Sequence, residues 1–283
     1  MVMMQTAYFR KQIFLPQDHG SWVFIFSPLL IGLFLGGNFA FASFSLVITS
    51  VAAFLLRQPI TVAVKAYAGR RARTDLPAAR LWIVVYGLIA LIGLLALISA
   101  GFGYLLYLAI PGILVFAWHL WLVSKREERR QINVEIIATG VLSLTAPAAY
   151  WVGIGHYDST GWWLWILVWL QTAASIVYAY LRLEQRELAE VPARNELWEM
   201  GFRSFAYTTF NLVAALVLGL FTDNLPRTPV MPPLLFLPYL VQWGETLWGI
   251  FNPAVRWKPV RIGTRQLIVS ILWTILFIIT WRL

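Results

Sequence analysis

The chain contains no cysteine. That excludes disulfides, a thiol nucleophile and any thiolate metal site. Histidine is nearly as scarce. His19, His119 and His156 are the only three and lie in separate segments, which argues against a histidine-rich metal or haem centre. Charge is thin as well: only 12% of the 283 residues are Asp, Glu, Lys or Arg. No stretch is polar and long enough to form a soluble domain, so one membrane-embedded unit over residues 1–283 is expected. A cleavable leader is not expected, because the first apolar run lacks a small-residue cleavage site and a second run follows at once.

What fills the chain is hydrocarbon. Hydrophobic residues make up 60% of it, and mean hydropathy is +0.71. Nine apolar runs of about 16–22 residues, close to the length that a bilayer core of roughly 30 Å calls for, span Gly20–Gly37, Phe39–Leu56, Leu81–Ala100, Phe102–Val123, Val134–Gly153, Trp162–Leu181, Phe205–Phe221, Met231–Phe251 and Gln266–Trp281. The runs are continuous rather than alternating, which points to helices and not to a barrel. The expected fold is an all-α, polytopic transmembrane bundle of nine spans.

Positive charge orients the bundle. Twenty of the 22 Lys and Arg fall on one side of this map, and only Arg227 and Arg282 fall on the other. The positive-inside rule then places the N-terminus in the cytoplasm and the C-terminus outside, in a multi-pass protein of the cytoplasmic membrane. The net charge of +9 is read as topology. It is divided among several juxtamembrane loops, so no nucleic-acid partner is expected. Trp118, Trp121, Trp162, Trp163, Trp165 and Trp281 lie near span ends and read as interfacial anchors.

Polar residues inside spans are costly and need a partner or a cavity. Asp18 and His19 open the first span; Asp18 suits a helix N-cap and His19 can titrate near neutral pH. Arg57, Thr61 and Lys65 share a face if the second helix survives Pro59, although snorkelling to headgroups would also explain them. Glu135, Thr139 and Ser143 follow one another at four-residue steps in span five. Gln171, Ser175, Tyr178 and Arg182 form a stripe in span six, Arg203, Tyr207 and Asn211 in span seven, and Gln242 and Glu245 sit one turn apart in span eight. Helix–helix bonding accounts for the hydroxyl residues. It accounts for Glu135 and Glu245 only if each meets an arginine.

These residues cluster toward the cytoplasmic ends. They imply a polar vestibule against an apolar chamber, suited to an amphipathic ligand. The ligand-binding candidates are Asp18, His19, Arg57, Lys65, Gln171, Arg182, Arg203, Tyr207, Asn211 and Gln242. Glu135, Glu245 and His19 are the candidates for acid–base chemistry, though no catalytic dyad is visible. No residue set suggests a metal site.

The opening Pro16-Gln17-Asp18-His19-Gly20-Ser21-Trp22, followed by Pro28-Leu29-Leu30, resembles the start of the YwiC-like family. Arg57-Gln58-Pro59, Glu135 after a basic stretch, and Ala146-Pro147 fit the same pattern. That family looks like a distant branch of the UbiA-type intramembrane prenyltransferases. The resemblance implies nine helices and a site open to the cytoplasm, with Mg²⁺ held by Asp-rich motifs at the ends of helices two and six. Here Leu56–Lys65 carries no carboxylate, and Glu184 and Glu187 are interleaved with arginines. Mg²⁺ is therefore not expected, nor any other cofactor, and prenyl transfer is doubtful. The expected partner is a membrane lipid or isoprenoid- or quinone-like molecule. A secondary transporter is a second reading. A non-catalytic membrane subunit or assembly factor, with a protein partner, is a third.

Overall fold

The computed structural model describes residues 8–16, 20–126, 131–221 and 231–283. Among these the chain is helical, with no strand. After a one-turn helix at Lys11–Phe14 come α1 (Ser21–Gly36), α2 (Phe41–Tyr67), α3 (Leu76–Ser99), α4 (Leu106–Lys125), α5 (Ile132–Ser143) and α6 (Thr145–Ile154). They are followed by α7 (Thr160–Arg186), α8 (Arg194–Phe221), α9 (Phe236–Phe251) and α10 (Pro259–Arg282). α5 and α6 are one continuous apolar segment, bent at Leu144, where Pro147 removes an amide and crowds the preceding turn.

Each of the nine expected segments contains a helix. Among the described residues, seven helical segments are long and apolar enough to cross a membrane, counting α5 and α6 together. They make this a multi-pass membrane protein. The other two, α1 and α9, have 16 residues each. At 1.5 Å per residue each rises about 24 Å, short of a core of roughly 30 Å. The shortening of α9 has a local cause. Pro232 and Pro233 cannot donate to a helix ladder, and the chain turns through residues 231–235 before the helix starts at Phe236. α2 errs the other way. It runs through Pro59 and ends at Tyr67, eleven residues past the expected Leu56, so Arg57, Thr61 and Lys65 do lie on one helix.

α7 is the hub. Two thirds of its most apolar window is buried (67%), against 11% for α4. The main core gathers Ile31 of α1, Ala146 of α6, Leu164, Leu167 and Val168 of α7, Ala215 of α8, Tyr239 of α9, and Trp273 and Phe277 of α10. Burying these side chains gains little from hydrophobicity in a bilayer, so close packing and interhelical bonds carry the association. α1 and α6 approach until Gly36 and Gly153 touch. A Cβ on Gly36 would lie 2.8 Å from the Gly153 Cα. Tyr239 donates its hydroxyl to the Leu167 carbonyl (2.9 Å), and Asn211 donates its amide to the Leu170 carbonyl (2.7 Å), tying α9 and α8 to α7.

The basic loops meet at one end. Arg70 donates to the Val123 carbonyl and joins the α2–α3 connection to the end of α4. The Arg256 amide donates to the Arg186 carbonyl and joins the α9–α10 connection to the end of α7. Residues 8–16 strap the ends of α2 and α3. Ile13 is buried, Phe14 stacks on Trp82, and the Trp82 indole donates to the Tyr8 carbonyl. At the opposite end Arg282 donates to the Phe34 carbonyl, so α10 and α1 finish side by side.

Candidate functional site

The site is built on the polar stripe of α7. Gln171, Ser175, Tyr178 and Arg182 are all buried, as their spacing implies for one helix face. They face α9 and α10. Gln171 donates to Gln242 (3.1 Å), and Gln242 donates in turn to Thr246 (3.4 Å). Ser175 donates to Gln266 at the start of α10 (3.4 Å). The Tyr178 hydroxyl shares its proton between the Glu245 carboxylate (3.0 Å) and the Glu245 carbonyl (3.1 Å). The phenol lies directly on Gly249; a Cβ there would come within 2.7 Å of the ring carbon that bears the hydroxyl.

Glu245, whose side chain is 9% exposed, has the arginine that its depth demands. Arg265 meets it with Nε on Oε1 (2.6 Å) and Nη2 on Oε2 (2.7 Å), the parallel geometry in which guanidinium and carboxylate bind best. Arg265 sits in the second turn of α10 and is 37% exposed. By sequence it stands one residue before the last apolar run, among the juxtamembrane charges. Its clearest signal was an Arg-Gln pair against the first apolar residues of the last span.

Arg182 is 1% exposed and has no carboxylate of its own among the described residues. Its Nη1 donates to the carbonyls of Gly249 (2.6 Å) and Asn252 (2.8 Å) and to Gln185 (2.8 Å). Those carbonyls belong to the open C-terminal end of α9, where a cation is favoured. Its Nη2 has no partner among the described residues. The rings of Tyr178, Trp248 and Trp257 lie 5.9, 5.6 and 5.1 Å from the guanidinium carbon.

Other expected site residues lie elsewhere. Asn211 is buried against α7, but Arg203 and Tyr207 on the same helix are exposed. Steps of four residues drift about 40° each around a helix, enough to turn the first two outward while the third faces in. Glu135 is exposed in the first turn of α5 and accepts from the Tyr180 hydroxyl (2.7 Å). Tyr180 is two positions from both Tyr178 and Arg182, so it is on the far side of α7. Arg57 is half-buried over the Phe54 ring (5.4 Å), and Lys65 is half-buried further along α2, which packs on α3, α4 and α6. Asp18 and His19 lie outside the described residues. The structure therefore brings together Gln171, Arg182, Gln242 and Glu245, with Asn211 beside them. It adds Tyr178, Arg265 and Gln266.

A cavity in the bundle lies away from this stripe. A cavity of about 240 Å³ lies between α4, α5 and α7, lined by Leu108, Pro111, Gly140, Leu144, Trp165 and Trp169 among others. None of the expected site residues lines it. Trp165 and Trp169 donate their indole N–H groups to the Gly140 and Ile136 carbonyls (2.8 Å each), leaving ring carbon toward the hollow. Trp169 is two residues before Gln171, so cavity and polar stripe occupy opposite faces of α7.

A magnesium diphosphate centre does not fit these residues. At the end of α7 Arg182 and Gln185 point inward while Glu184 and Glu187 are exposed. Among the described residues no group of three or more His, Asp or Glu is arranged to hold a metal ion.

Residues 15–150 match the family described as YwiC-like protein. The matched segment runs from the N-terminal strap to α6 and stops short of α7, α9 and α10. No curated protein and no solved structure matches the chain.

Proposed function

From a multi-pass membrane protein that is YwiC-like over residues 15–150, we propose a bundle that binds an amphipathic ligand at its basic end. The polar head lies among α7, α9 and α10, and the oily part lies along their apolar surfaces. The observation that carries this reading is the buried seam from Gln171 to Arg182, an unbroken polar strip through an apolar bundle. A quinone or isoprenoid tail is the class suggested by the UbiA-type resemblance. Because cavity and stripe lie on opposite faces of α7, the tail leaves by the α9–α10 side and not through the tryptophan-lined cavity.

Binding is favoured over catalysis. Glu245 accepts from Tyr178 and from two nitrogens of Arg265, so its carboxylate is tied to α7 and α10 rather than presented to a ligand. The same clamp weighs against a transporter, since it fixes the carboxylate between α7 and α10. In this reading α1 and α9 also cross the bilayer, giving nine spans with the N-terminus cytoplasmic and the C-terminus outside. The adjacent ends of α1 and α10 support it, because the first and last of nine alternating spans must finish on the same side.

Native mass spectrometry and solvent extraction of the purified full chain test the proposal. A stoichiometric bound amphiphile is expected. Substitutions Arg57→Cys, Glu135→Cys, Arg182→Cys and Glu245→Cys, probed with a polar thiol reagent from inside, should show reaction at 182 and 245 that bound amphiphile suppresses. A protein that carries no amphiphile and is inert at both positions would overturn it.

A further inference from the structure

Five side chains at the basic end alternate cation and ring. Arg265 lies over the Trp248 indole (3.7 Å to its centre), and Trp248 is 5.6 Å from Arg182. Arg182 is 5.1 Å from Trp257, which in turn carries Arg261 at 3.9 Å. Three guanidiniums are thus gathered around two indoles. The carboxylate bonded within this group is Glu245, and Arg265 holds it. Arg182 and Arg261 have no carboxylate partner among the described residues. Three positive charges against one negative leave an excess of two.

An excess this large in a juxtamembrane loop would ordinarily be topology. Arg182 is what makes it a site. It is 1% exposed, it spends Nη1 on all three of its hydrogen bonds, and Nη2 is left as a buried charged donor with no acceptor. Buried donors of this kind are satisfied in native proteins, by water or by an ion. Guanidinium groups pair best with carboxylate and with phosphate. One carboxylate is already built in as Glu245, and a second would add only one charge and two oxygens. A phosphate monoester brings about −1.5 to −2 charges at pH 7 and three strong acceptor oxygens. That matches the excess charge.

We propose that Arg182, Arg261 and Arg265, braced by Trp248 and Trp257, form a metal-free site for a phosphate head. Arg182 is its floor, and the exposed Arg261 and partly exposed Arg265 are its rim. The inference rests on the amphiphile reading and deepens it by naming the head. The chemistry is shared by a phospholipid headgroup and by free phosphate.

The test uses the full chain in detergent, titrated separately with phosphatidic acid, with a fatty acid and with inorganic phosphate, and read by native mass spectrometry. Phosphatidic acid is expected to bind one to one. Arg261→Gln and Arg265→Gln should each weaken it about tenfold, the scale of one lost charge-assisted contact. Arg80→Gln removes a charge beside Tyr67 on the α2–α3 side and should leave binding unchanged. Phosphatidic acid retained against excess inorganic phosphate would identify a lipid headgroup as the source; displacement by inorganic phosphate would identify the free ion. Either supports the site. A fatty acid binding as tightly as phosphatidic acid would overturn the phosphate head and leave the amphiphile reading standing. Binding of neither amphiphile, nor of phosphate, would overturn both. Rim variants that bind like the unmodified protein would overturn the placement, and since Arg261 is exposed, Arg261→Gln is expected to fold even if substitution of Arg182 or Arg265 does not.

Discussion

Arg265 clamps Glu245 through both carboxylate oxygens, at 2.6 and 2.7 Å, and so joins the second turn of α10 to the middle of α9. The connection between the two helices, residues 252–258, is short, yet the pair fixes their relative rotation more firmly than chain connectivity can. Glu245→Gln and Arg265→Gln should each destabilise the protein, and the double variant should lose less than the sum. The expected coupling is about 1–3 kcal/mol, below that of a fully buried pair because solvent screens Arg265. Denaturant unfolding in detergent, followed by tryptophan fluorescence, measures the cycle; additive losses would mean that the pair is structurally idle.

Tyr178→Phe deletes only the hydroxyl that reaches Glu245, and a loss of about 1–2 kcal/mol is expected with the fold intact. Gly249→Ala should cost more, because the added methyl occupies the place of the phenol and expels the whole ring. If unfolding midpoints rank the two variants in the opposite order, the ring does not rest on α9 as described.

The contact of α1 with α6 leaves no room for a side chain. Gly36→Leu or Gly153→Leu should therefore force the helices apart and cost about 1–3 kcal/mol or more, as overpacking does. Loss of a monodisperse peak on gel filtration, with little change for Gly87→Ala, where a Cβ meets nothing within 4 Å, is the expected outcome.

Reporter fusions decide the span count. Reporters placed at Asn38 and between Phe221 and Met231 should report the outside, whereas one placed after Glu190 should report the cytoplasm. A cytoplasmic signal at Asn38 would mean that α1 does not cross.

Much of this was readable from residue order, and the failures have physical causes. Apolar runs located every helix because a bilayer penalises polarity everywhere along a span. Helix ends were less legible. Arg57 looked like the end of α2, but a charged side chain can snorkel while its backbone stays helical to Tyr67. The stripe of α7 was legible because steps of four, three and four residues hold one face. The stripe of α8 was not, since repeated steps of four rotate away. The partner of Glu245 was hidden by its position: Arg265 resembles every other juxtamembrane arginine until α10 is seen to begin at Pro259. The cavity was hidden because Trp162 and Trp165 read as interfacial anchors, and nothing local reveals that the indoles of Trp165 and Trp169 bond to α5.

Arg182 has a consequence for biogenesis. Two of its three acceptors are the carbonyls of Gly249 and Asn252, about seventy residues downstream. The buried position of Arg182 is complete only once α9 is present, so α7 to α10 assemble as one unit.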